Sequence, residues 1–301
     1  MYPMDNNLYD YSPIIDRAPL HWPEGRKVAF YLGLNLEHYQ IDKPSTSIFG
    51  GTAGLSPDPL NYGWRDYGLR VGLWRMIDSL DRHGIRASAL VNADVCRHYP
   101  QVVQAGLERD WAWVAHGRDN STFQAGMSRE EEVNYLEDVV RTIESYTGSR
   151  PKGWLGPALT ETDNTPEILA ELGLSYVLDW CADDQPFHLN VAGMMSIPYS
   201  MEVNDVTLFS NRNLSGPDFL QIVKDQYEQL SADAGETGES GRVMSLPLHP
   251  FIINQPFRHK YLDLALEFIA GQPDVWLTTS DDIAMHFKDM PEHQGGWCTS
   301  E

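Results

Sequence analysis

The stretch K27-VAFYLGLNLEHY-Q40 is apolar from Val28 to Leu36, apart from Asn35, and then turns polar at Glu37 and His38. A continuous run rich in aliphatic and aromatic residues, without alternation, is the pattern of a strand covered on both faces, as in the interior of a parallel sheet. Such a sheet needs crossover helices, and the downstream sequence supplies them. The helical period of 68–84 is followed by the strand-like 86–92, and then by 102–110, 111–116, 130–148, 152–157, 166–173, 175–180, 219–230, 243–249, 260–271, 275–279 and 281–287, with strand and helix patterns in near alternation. This order predicts an α/β fold whose parallel sheet is open or closed into a barrel.

The length of 301 residues and the absence of repeats predict one domain over 1–301, with its core in about 20–290. Residues 231–241, SADAGETGESG, read as a loop between a helix and a strand. Residues 42–67 are unusually long for a connection, rich in Gly and Pro, and carry Tyr62, Trp64 and Tyr67; they read as a lid or cover loop.

The 43 acidic residues against 22 Lys and Arg give a formal charge of -21, which argues against nucleic acid or an anionic membrane as a partner. The start MYPMDNNLYDYSP has no basic segment leading into an apolar one, and no apolar run reaches a membrane span, so the expected location is cytoplasmic. Cys96, Cys181 and Cys298 are odd in number and far apart, which fits neither a disulfide framework nor a CxxC zinc site.

In parallel α/β folds ligands bind beyond the carboxyl ends of the strands. The strand patterns end in Asn35, Glu37 and His38, in Asn92, in His116, in Leu155 and Pro157, in Asp179 and Trp180, and in His249. Singly, each has an ordinary structural use as a hydrogen-bonded strand exit or turn cap. Together, Glu37, His38, His116, Asp179 and His249 are expected to meet at one mouth, equipped for acid-base hydrolysis or for a metal. Cys181, beside Asp179, is a weaker candidate for a thiol nucleophile.

These residues resemble the motifs of the polysaccharide deacetylase superfamily, the NodB homology fold. Asn35-Leu36-Glu37-His38 stands where that family has Thr-Phe-Asp-Asp, and His116-Gly117-Arg118-Asp119-Asn120 where it has His-Ser/Thr-x-x-His. Leu155-Gly156-Pro157-Ala158 replaces Arg-x-Pro-Tyr, Asp179-Trp180 matches the fourth motif, and Leu246-Pro247-Leu248-His249 matches Leu-x-His. The departures, together with residues 61–84 and KGWLGP, resemble the cytoplasmic branch that contains metal-independent allantoinases and cyclic imide hydrolases.

The resemblance implies a distorted (β/α) barrel of about seven strands, a homo-oligomer, and no cofactor or metal. It implies Glu37 as base, His249 as acid and His38 or His116 at the oxyanion, acting on a small-molecule cyclic substrate. Apolar residues near the strand ends, Leu34, Leu36, Leu155, Ala158, Trp180 and Phe251, favour a cyclic imide over allantoin. Asn35, Asn92, Asn120, Leu155, Trp180 and Trp64 are the expected substrate-binding residues. The alternatives are an allantoinase, a metal-dependent N-deacetylase of an acetamido sugar with His38 and His116 as ligands, and a binding module without activity.

Overall fold

Nine strands pair into one curled sheet in the computed structural model, which describes residues 6–290. They are β1 (Val28–Leu36), β2 (Ala87–Val91), β3 (Ala112–Ala115), β4 (Gly153–Trp154), β5 (Tyr176–Val177), β6 (Phe187–His188), β7 (Met195–Ser196), β8 (Arg242–Leu248) and β9 (Val275–Leu277). The helices are α1 (Pro59–Tyr67), α2 (Leu73–His83), α3 (Ala93–His98), α4 (Pro100–Leu107), α5 (Arg129–Thr147), α6 (Thr165–Glu171), α7 (Gly216–Asp233), α8 (Pro250–Ile253), α9 (Pro256–Ala270) and α10 (Ser280–Asp289). Cys298 lies outside the described residues. None of the described helices is long and apolar enough to cross a membrane.

The order β6-β7-β5-β4-β3-β2-β1-β8 places β1 inside the sheet. One edge of β1 pairs with β8, while the other pairs with β9 near its start and β2 near its end. All nine β1 residues are buried, which is why the run is apolar on both faces. Every pairing is parallel except β6 with β7. This is the expected distorted barrel, a curled parallel sheet with helices outside.

The expected loop 42–67 is a loop only in its first part, since residues 59–67 form α1. Pro59 fits the first turn, and the Asp58 carboxylate caps it by accepting from the Asn61 N–H at 3.3 Å. Gly63 and the polar composition hide this helix from periodicity. Asn61, fully buried, then pins the loop to α1 through Phe49 N–H and C=O, each at 3.0 Å.

A π-helical turn, Gly68–Gly72, joins α1 to α2 and lies against α8, the short helix that follows His249. A Cβ at Gly72 would overlap the Pro250 carbonyl. Gly72→Ala is therefore expected to cost about 1–3 kcal/mol by forcing these backbones apart. Thermal unfolding should show a lower Tm, and kcat should fall with it because α8 carries the His249 loop.

Candidate active site

The ladder bonds continue one residue past each strand end. Asn92 N–H donates to Leu36 O at 3.1 Å, His116 N–H to Val91 O at 3.0 Å, and Leu155 N–H to Ala115 O at 2.9 Å. This stepwise pairing sets Glu37, Asn92, His116 and Leu155 side by side. Gly117 follows at φ +68, where a Cβ would strike Pro157, so the chain can turn sharply after His116 only with glycine.

Glu37 is the centre of the arrangement. Its Oε1 lies 3.5 Å from His116 Nε2 and 3.6 Å from His249 Nε2. Asn120 Nδ2 also donates to Oε1, and the Tyr39 hydroxyl donates to Oε2. Both imidazoles are oriented from behind: His116 Nδ1 donates to Leu155 O at 2.7 Å, and His249 Nδ1 donates to Asp205 Oδ1 at 2.7 Å. Since a carbonyl and a carboxylate only accept, both Nδ1 atoms carry hydrogen and both Nε2 atoms face Glu37.

A chain of amides fixes the donor on Glu37. The His38 backbone N–H can only donate, and it does so to Asn92 Oδ1 at 2.8 Å. Asn92 must then present Nδ2, which donates to His116 O and, at 3.0 Å, to Asn120 Oδ1. Asn120 is left with Nδ2 toward Glu37, so where the family's second histidine would offer a lone pair, this chain offers a hydrogen-bond donor.

Burial favours the neutral form of Glu37, yet the His249 and His116 imidazoles override it and hold the carboxyl far below the usual carboxylate range. Burial likewise disfavours the His249 cation, but the Glu37 and Asp205 carboxylates prevail and raise it to about 10. At neutral pH the site therefore holds a Glu37 carboxylate facing a His249 imidazolium. Asp205, buried, is raised by desolvation, which the same imidazolium opposes.

Of the five residues expected at one mouth, Glu37, His116 and His249 converge. His38 borders the same cleft as Glu37 without bonding to it, and Asp179 lies apart. The His38 ring lies 3.2 Å from the Tyr99 hydroxyl through Nδ1 and 5.0 Å from the His98 ring, and no hydrogen bond or ion pair among the described residues links it to Glu37. Asp179 accepts from Gly156 N–H at 2.7 Å, steadying the peptide next to Leu155 that holds His116. Burial and the neighbouring Glu161 keep the Asp179 carboxyl protonated well above its usual range, and burial brings Glu161 to about 7.

The expected substrate-binding residues have other uses. Asn92 is fully buried and spends its amide on the relay, and Asn120 spends its own on Asn92 and Glu37. Buried Asn35 donates to Leu248 O at 3.3 Å, beneath His249. The Leu155 side chain lies in the core, while its carbonyl holds His116. Trp64 packs edge-on against Phe251 at 4.8 Å, and Trp180 against Tyr9 at 5.6 Å. Leu34 and Leu36 are fully buried too and belong to the core, whereas Ala158 is exposed, Trp180 is half-buried, and Phe251 packs against the His249 ring at 5.7 Å. Cys181 is exposed at the surface, but partial desolvation and Asp179 push its thiol up to about 11, which makes it a poor nucleophile.

Instead, Glu37 opens into a small cleft of about 10 Å³ bordered by His38, Tyr39, Tyr62, Arg65 and Tyr99. Arg65 covers the Tyr39 ring at 4.7 Å and ties α1 to the loop through Thr46 O at 2.6 Å.

Two residues of this centre were not singled out in the sequence. Tyr39 sits two positions after Glu37, so continuing the strand's period of two past Leu36 was the available signal that both share one side. Asp205 lies beyond the short apolar run MMSIP, which contains β7, at the start of the helical turn Val206–Asn211.

The family's divalent ion does not fit this donor set. Among the described residues, Glu37, His116 and His249 do not bring three ligand atoms within mutual reach, Asn120 turns an N–H toward Glu37, and His38 makes no hydrogen bond or ion pair with His116.

The family model for polysaccharide deacetylase matches residues 64–177. A Schizosaccharomyces pombe protein named "Putative polysaccharide deacetylase" is 25% identical over 305 aligned positions, covering 90% of this chain and 92% of that protein. Among solved structures, Puue allantoinase superposes with a TM-score of 0.83 at 24% identity, covering 97% of this chain and 99% of that one. A probable polysaccharide deacetylase from Pseudomonas aeruginosa PAO1 superposes with a TM-score of 0.80 at 23% identity, covering 91% and 96%.

Proposed function

We infer that this chain, which carries a polysaccharide deacetylase domain, opens a small cyclic imide or related cyclic amide by adding water at a ring carbonyl. The observation that carries this reading is the Glu37 carboxylate with two imidazole Nε2 atoms at 3.5 and 3.6 Å, one of them a cation backed by Asp205. Carboxylate and imidazolium together supply a base and an acid within 3.6 Å of each other.

Water oxygen attacks the carbonyl carbon as Glu37 takes a proton, and His116 is the imidazole beside the forming oxyanion. The C–N bond then breaks while His249 Nε2 gives its proton to the departing nitrogen. An imide nitrogen leaves more readily than a plain amide nitrogen, which suits a centre without a fitted metal. The 10 Å³ cleft has room for about one water, so the substrate enters only when the cover of loop 42–58 and α1 lifts.

A cyclic ureide such as allantoin is the second reading. It is favoured by the polar border of the cleft, with Arg65 and three tyrosines. The test is one preparation assayed against succinimide, dihydrouracil, hydantoin, allantoin and a chito-oligosaccharide, with products identified. Ring-opened acids from the imide or amide set are expected; rate constants far higher for allantoin would select the ureide, and acetate from the oligosaccharide alone would reject ring opening.

A further inference from the structure

Outside the Glu37 centre, the described residues bring together one group of potential metal ligands: His38, Asp94 and His98, with ligand atoms within 4.8 Å of one another. Asp94 and His98 are four apart on α3, so the helix sets them on one face. His38 meets them from the exit of β1.

Each donor has a free position. Asp94 gives Oδ1 to Arg97 at 2.8 Å and keeps its other oxygen. The His38 Nδ1 is engaged by Tyr99, which leaves Nε2. His98 is exposed. Ligand atoms around a tetrahedral zinc ion at its usual bond lengths lie about 3.3–3.6 Å apart, so the three draw closer on binding, and exposed His98 is the side chain freest to move. Two imidazoles and one carboxylate suit zinc and its first-row neighbours better than magnesium or calcium, and the formal charge of -21 favours any cation.

We propose that His38, Asp94 and His98 form a site for a zinc-class divalent ion, separate from the position used by the superfamily and bordering the Glu37 cleft. Its consequence follows from His38, whose N–H and C=O hold Asn92 and Asn120 at 2.8 Å each. An ion on the His38 ring clamps α3 to the peptide that orients Asn120 on Glu37. The site stands independently of the ring-opening reading, because its test reads binding.

Tag-free protein, stripped with chelator and dialysed, is titrated with Zn²⁺ by calorimetry alongside His98→Ala, Asp94→Asn, Glu37→Gln and His116→Ala. The expected result is one Zn²⁺ per chain, weakened at least about tenfold in His98→Ala and Asp94→Asn and unchanged in Glu37→Gln and His116→Ala. No binding, equal binding in His98→Ala, or loss confined to the Glu37 and His116 variants would overturn the proposal. His98 is on the surface, so its variant keeps the fold.

Discussion

Glu37→Gln is expected to lower kcat by about a hundred- to ten-thousand-fold, the range set by removing a general base, while the circular dichroism spectrum stays native. Glutamine keeps the shape of the side chain and can still accept from Asn120, but it takes no proton from water. It also removes the charge that helps hold His249 protonated, so the buried imidazole reverts toward its neutral form and no isolated buried cation remains. KM should change much less than kcat. A kcat within a few-fold of the parent would mean that water is activated elsewhere.

His249→Gln should produce a loss that depends on the leaving group. Poorly leaving nitrogens, as in dihydrouracil, need the proton as the C–N bond breaks, so their loss should approach the full general-acid contribution of about ten-thousand-fold. Imides with electron-withdrawing substituents should lose far less, so a plot of log kcat against leaving-group basicity becomes steeper in the variant. The two transfers are coupled: Glu37 is a weak base while it faces a cation, and its basicity rises as His249 surrenders its proton. A uniform loss across leaving groups would assign His249 to binding.

The sheet was legible because burial on both faces leaves an unbroken apolar run, as Val28 to Leu36 shows. Shorter strands were readable only where an apolar motif surrounds them; β6 and β7, two residues each among Pro, Asn and Gly, carry no period. With them went Asp205, which packs against His249 from the start of a short helical turn, Val206–Asn211, and not from a long strand. His38 was assigned by adjacency to Glu37, yet neighbouring residues of an extended chain point apart, and the same rule would have chosen Tyr39. Asn92 and Asn120 were expected to touch substrate because polar residues at strand ends usually do. Only the backbone N–H of His38 reveals that their amides are already committed.

The paired charges give the most direct test, the pH dependence of kcat/KM in the parent and in Asp205→Asn. Glu37 must be ionised and its carboxyl is held low, so activity rises at acid pH below the usual carboxylate range; His249 must be protonated, so activity falls as pH rises through about 10. The parent profile should be flat from about pH 5 to about pH 9, and Asp205→Asn, lacking one of the two carboxylates beside His249, should move the alkaline fall to lower pH. An alkaline fall in the parent near the ordinary imidazole value of about 6.5, or one that Asp205→Asn leaves in place, would contradict the carboxylate and imidazolium pair.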